Sequence, residues 1–274
     1  MSYACFEVEI ENNIAHVILN RPDKRNAMNA DFWHELPEII RDIDQEAKAR
    51  VIVLSSRGPH FCAGLDLSSF ASVGDSPETD PKKQKLQRSA ALYDNILHLQ
   101  NAFTCMEEAR IPVLCCIQGG AIGGGVDLST ACDIRYASPN AVMALPETGL
   151  GLIPGGGGTQ RLSRVVAPGH ALDMLLSGDC LDAARARSIG LVTRVAETQE
   201  SLLQEVSALA QKIAMKPPLA TTYVKRAARA SLELELKRGL DLELDLFALL
   251  APTKDAREAA SAFSERRSPN FIGE

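Results

Sequence analysis

The stretch Gln118-Gly119-Gly120-Ala121-Ile122-Gly123-Gly124-Gly125-Val126-Asp127 decides how this chain is read. It follows an apolar run, Val113 to Ile117, and leads into a helix-like segment, Val126 to Cys132. Glycine allows backbone conformations and close approaches that a Cβ would block. A helix that begins inside such a turn offers N–H groups with no helical partner, at the positive end of its dipole. Asp127 then falls in the first helical turn. The segment predicts a place where an oxyanion is held beside an acid/base group. Its glycines do not have the G-x-G-x-x-G spacing, and no Gly-Lys-Ser/Thr follows, so dinucleotide and P-loop readings fail.

On the N-terminal side, Phe6-Glu7-Val8-Glu9-Ile10 alternates, Asn12-Asn13 turns, and Ile14 to Leu19 alternates again, which predicts a hairpin. A polar loop, Asn20 to Met28, precedes a helix with Leu36, Ile39, Ile40 and Ile43 on one stripe. Pro37 lies inside that pattern and predicts a kink or a late start. Val51 to Leu54 reads as a short buried strand, and His60 to Leu67 as the next loop. Residues 72–85 are polar, hold two prolines and read as a mobile insertion. A long amphipathic helix follows, carrying Leu92, Ile96, Leu99, Phe103 and Met106.

On the C-terminal side, Ile134 to Ala137 and Ala141 to Ala144 read as short strands around a Ser138-Pro139-Asn140 turn. A second carboxylate stands in Leu145-Pro146-Glu147-Thr148-Gly149, and four glycines, Gly155 to Gly158, precede another helix start. Beyond Ala171 the pattern turns helical: residues 201–216, 219–230 and 232–250, with Pro217-Pro218 as a break. Leu232-Glu233-Leu234-Glu235-Leu236 alternates like a strand, but its helix-forming flanks and length favour helix. The composition shift divides a core of residues 1–200 from a helical region, residues 201–274, whose apolar residues suit packing on another subunit.

The 274 residues suffice for a sizeable core, and 46% hydrophobic content is ordinary for a globular protein. With 29 basic and 35 acidic residues the net charge is −6, which argues against a nucleic-acid surface. The first residues show no basic or apolar leader, and no long apolar span follows. We therefore expect no signal peptide, no membrane span and a cytoplasmic protein. Seven cysteines without a C-x-x-C pair are expected to be reduced thiols. No metal-ligand spacing occurs.

Taken together, these motifs resemble the crotonase superfamily, which includes enoyl-CoA hydratases and isomerases. The resemblance runs from Ile14 to about Phe271. It rests on Asn20-Arg21-Pro22 with Arg25-Asn26-Ala27-Met28, on Phe61-Cys62-Ala63-Gly64-Leu65-Asp66, and on Gly123-Gly124-Gly125-Val126-Asp127. Ala131-Cys132-Asp133-Ile134-Arg135 and Pro146-Glu147 through Leu162 complete it. It implies an α/β fold, a spiral of ββα units with a helical C-terminal region, assembled as a homotrimer or a dimer of trimers. It implies an acyl-CoA thioester substrate and no separate cofactor, coenzyme A being part of the substrate.

Residue by residue, the resemblance places an oxyanion hole at the Leu65 and Gly124 N–H groups and catalytic carboxylates at Asp127 and Glu147. We expect Glu147 to be the principal acid/base and Asp127 to position water. Lys24, Arg25, Ala27, Ala63, Gly64, Asp66 and Gly123 match the stretches that meet CoA and the thioester. Phe263 with Arg266 or Arg267 matches a C-terminal contact to CoA, often made from a neighbouring subunit. Asp66 is also expected to order its loop.

In the hydratases both carboxylates are glutamates. An Asp at position 127 resembles the dienoyl-CoA isomerase branch, which places a further Asp where Gly155 stands here. Leu145-Pro146-Glu147 and Pro154 to Gln160 are instead hydratase-like. The leading expectation is hydration of a trans-2-enoyl-CoA to a 3-hydroxyacyl-CoA. Its rivals are Δ3,5-Δ2,4-dienoyl-CoA isomerisation, a non-catalytic acyl-CoA- or RNA-binding homologue, and a thioesterase or dehalogenase of the same fold. His60 and Cys62 are read as packing residues, Cys115-Cys116 as core, and Trp33 as a helix-packing residue.

Overall fold

In the computed structural model the described residues are 3–66 and 80–274. Alternating and apolar runs build the first sheet. β1 (Phe6–Glu11) and β2 (Ile14–Leu19) pair antiparallel, Glu11 opposite Ile14. Asn12 and Asn13 close that hairpin with φ of 52° and 62°, a left-handed pair that asparagine tolerates well. β3 (Val51–Ser56), β4 (Val113–Ile117), β6 (Ile134–Ala137) and β9 (Arg194–Val195) then add in parallel, in the order β1-β2-β3-β4-β6-β9. β4 is buried along its whole length, as is β3 up to Ser55, which is why both read as continuous apolar runs rather than alternating ones.

A second sheet of three strands holds β5 (Gly120–Ile122), β7 (Val142–Ala144) and β8 (Leu181–Asp182). Only Gln118 and Gly119 separate β4 from β5, so the chain steps from the large sheet to the small one inside the glycine turn. It repeats that step between β6 and β7, around Pro139-Asn140. Cys62 bridges in parallel to Ala121 one turn earlier. Each turn of the spiral thus places one segment in each sheet before a helix returns the chain. This is the expected α/β spiral, and the strands that bracket Ser138–Asn140 belong to different sheets rather than to a hairpin.

α1 (Ala30–Gln45) is capped by Asn29, whose Oδ1 accepts the Phe32 N–H at 3.2 Å. It buries Phe32, Trp33, Leu36, Ile39, Ile40 and Ile43. The helix starts well before Pro37 and runs through it, which corrects the late start. Pro37 is itself buried, so the apolar stripe offsets its missing N–H. α2 (Pro81–Glu108) begins after Asp80, whose carboxylate caps the Lys82 N–H. Residues 81–85, expected in a mobile insertion, are the first turn of this helix; 72–79 lie outside the described residues. Trp33 packs edge-on against Phe32 and Phe103, with ring centroids 4.9 and 5.6 Å away, at the centre of the main core.

α3 (Gly124–Ala131), α4 (Gly158–Val165), α5 (Pro168–Ser177) and α6 (Ala183–Ser188) complete the spiral. α7 (Leu202–Ala214) covers the back of the large sheet, packing Leu202, Val206 and Ala210 on Val51, Val53 and Leu114. α8 (Pro218–Ala230), α9 (Leu236–Leu250) and α10 (Lys254–Glu265) follow. The alternating Leu232–Glu235 segment forms the turn before α9 rather than its first turn. Leu236, Leu244 and Phe247 stand exposed along α9. Among the described residues no helix is long and apolar enough to cross a membrane.

Candidate active site

Two loops converge on the start of α3. Met28 bridges in parallel to Leu65: its N–H donates to the Gly64 carbonyl at 2.8 Å, and its carbonyl accepts the Asp66 N–H at 2.9 Å. That pattern uses the groups on either side of Leu65 and turns Leu65's own N–H to the opposite side. The Gly124 N–H, first in α3, has no carbonyl four residues back within the helix. A Cβ on Gly64 would lie 2.7 Å from the Ile122 carbonyl oxygen and 3.3 Å from the Gly124 nitrogen, so the two loops touch there. Gly64 also holds φ +86°, a conformation that favours glycine.

Around this contact the loops are tied by polar side chains. Asn26 is buried; its Oδ1 accepts the Arg21 N–H at 2.8 Å, and its Nδ2 donates to the Arg57 and His60 carbonyls at 3.0 and 2.9 Å. His60 Nδ1 accepts the Gly120 N–H at 3.0 Å, which gives this histidine a structural partner. Arg21 pairs with Asp66 at 3.4 Å. The Cys62 thiol donates to the Asn26 carbonyl, and burial pushes its pKa up to about 12, so it is an inert packing group.

Asp127 stands in the first turn of α3 and is 2% exposed. Gly156 donates its N–H to Asp127 Oδ2 at 3.1 Å. Cβ atoms on Gly156 and Gly158 would lie 2.7 and 2.0 Å from the Asp127 oxygens, so the second glycine run is the space this carboxylate needs. Glu147 lies in a 3-10 turn, Pro146–Leu150, and its Oε1 sits 2.7 Å from where a Cβ on Gly123 would stand. Among the described residues, Asp127 Oδ1 and Glu147 Oε2 are two of three buried side-chain atoms without a hydrogen-bond partner.

Electrostatics sets these carboxylates apart from surface acids. Burial pushes the Asp127 pKa up to about 7, and the charge of Glu147 adds to that. The Arg161 guanidinium and the N–H groups of the facing glycine turn oppose the rise. Burial also raises the Glu147 pKa. Two facing acids, both held above the usual carboxylate range by burial, suit proton exchange.

A family description, enoyl-CoA hydratase/isomerase, matches residues 9–274. The chain belongs to this family, within the crotonase superfamily. It is 35% identical to a Δ3,5-Δ2,4-dienoyl-CoA isomerase, peroxisomal, of Arabidopsis thaliana, over 98% of both chains. It is 34% identical to a crotonyl-CoA hydratase of Syntrophomonas wolfei, over 99% of both. The crystal structure of an enoyl-CoA hydratase from Bacillus anthracis superposes with a TM-score of 0.89 at 32% identity, covering 98% of this chain and all of that one. An enzyme of the hydratase/isomerase class follows from these relationships.

For this hydratase/isomerase family member, the structure gathers Gly64, Leu65, Gly123, Gly124, Asp127 and Glu147 at one place. Ala63 joins them through its N–H, which donates to the Arg25 carbonyl at 3.0 Å. Arg25, His60, Ala63 and Ile122 line a cleft of about 390 Å³ beside the Gly64–Gly124 contact. Lys24 and Arg25 are exposed, and Ala27 is half-buried. Phe263 and Arg267 are not brought in: Phe263 is 88% exposed, and Arg267 pairs with Glu258 and Glu265, both at 2.6 Å. Sequence reasoning passed over Gly156 and Arg161 as partners of Asp127. The glycine run was visible, but nothing local said that its space belongs to a carboxylate 29 residues earlier. Among the described residues, no three His, Cys, Asp or Glu side chains cluster as metal ligands.

Proposed function

We propose that this enzyme adds water to a trans-2-enoyl-CoA and forms a 3-hydroxyacyl-CoA. The observation that carries the reading is the pair of facing carboxylates, whose buried oxygens Asp127 Oδ1 and Glu147 Oε2 carry no well-formed hydrogen bond within the protein. Buried acceptors without donors are costly, and a water molecule with two O–H groups satisfies both. The thioester oxygen sits on the Leu65 and Gly124 N–H groups, which supply fixed dipoles where negative charge develops. Asp127, ionised, holds the water against C3. As the water oxygen bonds C3, one water proton passes to Asp127 and the C2–C3 π electrons move toward the thioester oxygen. As those electrons return, Glu147, protonated at the outset, delivers its proton to C2, and passage of one proton from Asp127 to Glu147 restores both acids. The scheme uses no metal or redox cofactor; CoA enters with the substrate.

Dienoyl-CoA isomerisation is the second reading, and the aspartate at 127 favours it. Against it stands Gly155, where the resemblance would place the isomerases' further carboxylate. A Cβ at Gly155 would lie 3.4 Å from Ile96 Cδ1, so that corner is apolar. Turnover of crotonyl-CoA and of a 3,5-dienoyl-CoA, measured side by side, tests the choice. Hydration of crotonyl-CoA is expected; dienoyl turnover with inert crotonyl-CoA overturns it. We also propose a homotrimer or dimer of trimers, in which the exposed α9 face is covered and Phe263 and Arg267 reach a neighbour's CoA. Sedimentation equilibrium checks the assembly, and a monomer at micromolar concentration refutes it.

A further inference from the structure

We propose that Arg161 is a positioning residue for Asp127, acting through the backbone of Gly156, with Gln100 as its companion from α2. Both peptide planes that flank Gly156 are gripped. Arg161 Nη1 donates to the Gly156 carbonyl at 2.6 Å, and Gln100 Nε2 donates to the Gly155 carbonyl at 3.0 Å. The second of these planes carries the N–H that donates to Asp127 Oδ2. The Gln100 donor on the Gly155 oxygen polarises that peptide and strengthens its N–H, while the Arg161 donor on the Gly156 oxygen fixes the orientation of the plane that follows. The glycine turn cannot hold this shape through side chains, since Cβ atoms at 156 and 158 would occupy the space of the carboxylate. Its geometry must come from outside, and Arg161 and Gln100 supply it.

Arg161 is itself clamped. Its Nε donates to Glu107 Oε2 at 2.8 Å and its Nη2 to Thr104 Oγ1 at 3.0 Å. Glu107 is shared with Arg229 of α8, at 3.0 Å. Arg229 also pairs with Asp133 and donates to the Ala131 carbonyl at 3.0 Å, at the closing end of α3. The helix that carries Asp127 and the loop that holds its carboxylate are therefore bolted to one ion cluster. Such a cluster is a scaffold in any case. What makes Arg161 more than scaffold is the field it places on Asp127.

Among the described residues, the charged groups facing Asp127 are two: Arg161 from α4 and Glu147 from the 3-10 turn. α2 brings Phe103 against Gly156, Ile96 against Gly155, and the neutral Gln100; Glu107 lies behind Arg161. β5 and the first glycine turn bring no titratable side chain. Arg161 opposes the effects of burial and of Glu147, and so keeps Asp127 available as an anion near neutral pH. This inference rests on the reading that Asp127 works ionised.

The test measures the pH dependence of kcat/KM in wild type, Arg161→Gln, Arg161→Lys and Glu107→Gln. In parallel, the carboxyl C=O infrared band of the ligand-free enzymes is titrated, with Asp127→Asn as the blank. Arg161→Gln is expected to move the Asp127 midpoint up by about one pH unit, roughly a tenfold loss of rate below the midpoint. Arg161→Lys restores the midpoint while kcat stays depressed, because a lysine cannot reproduce the forked contact. Glu107→Gln moves the midpoint down, since Arg161 loses its counter-charge. Unchanged midpoints, or movement of both in the same direction, overturn the proposal and leave a packing role. If Arg161→Gln does not fold, the Lys and Glu107 variants still decide. If Asp127→Asn retains full activity, the hydratase reading fails, while the infrared midpoints still judge Arg161.

Discussion

Glu147 occupies the space that a side chain on Gly123 would need, with Oε1 2.7 Å from the Cβ position. The residue that opens the turn into α3 is therefore a glycine for two reasons. It holds φ 53° and ψ −116°, which a side chain tolerates poorly, and it gives room to a carboxylate from a distant turn. On the proposed reading, this one backbone position sets both the oxyanion donor and the acid.

Gly123→Ala should lose activity more than stability. The strained backbone costs about 1–3 kcal/mol. The added methyl also pushes Glu147 aside, and a displacement of about 1 Å costs roughly 10²-fold in kcat. Steady-state kinetics beside a thermal melt checks this. A variant with normal kcat would show that Glu147 need not stand at Gly123.

Asp127→Asn should be slower and, at high pH, more stable. Burial raises the Asp127 pKa from 3.8 to about 7, so its folded form binds the proton more tightly than the unfolded chain does. A raised folded pKa gives stability that is full below the unfolded value and is lost as pH rises through the folded one. The displacement corresponds to at most roughly 4 kcal/mol. Denaturant melts at about pH 5 and about pH 9 should show the variant gaining on wild type at both, and clearly more at the higher value. A gain that is equal at both, or none, removes the buried-charge account.

The sequence disclosed whatever was local. Asn12-Asn13 between alternating runs carried its hairpin, and Gly123–Asp127 carried a helix start with an acid in its first turn. The family motifs around Gly64 and Glu147 carried the rest of the spiral. What stayed hidden was set at a distance. β8 and β9 are two residues each and exist only because neighbours pair with them. The alternating Leu232–Glu235 became a turn, and Pro37 was absorbed by a buried stripe. The partnership of Asp127 with Gly156 and Arg161 needs the folded coordinates, because charge and space are shared across four separate elements.

Cysteine chemistry separates core from surface. Six of the seven cysteines are buried, and Cys180 alone is exposed. Burial pushes the Cys105 thiol up to about 12, as it does that of Cys62. A thiol reagent applied to the native enzyme should therefore label one site per chain, at Cys180, with no loss of turnover. Mass spectrometry of labelled peptides reads this directly. Rapid labelling of Cys62 together with inactivation would mean that the loop beside Leu65 opens in solution.

Gly64→Ala addresses the proposed oxyanion site without touching either acid. The methyl would stand 2.7 Å from the Ile122 carbonyl oxygen and 3.3 Å from the Gly124 nitrogen, at a backbone φ of +86°. Backbone atoms cannot turn away as a flexible side chain can, so the two loops must separate. On the proposed reading, the Leu65 and Gly124 N–H groups then no longer converge on the thioester oxygen. Loss of one such donor costs about 10²–10³ in rate, and the geometry here predicts a fall of that size in kcat. Infrared spectroscopy of a bound, unreactive acyl-CoA gives a second reading. In wild type the thioester carbonyl band should move to lower frequency on binding, and in Gly64→Ala it should stay near its solution position. A variant that binds the ligand, polarises the carbonyl normally and is still inactive would show that the donors lie elsewhere.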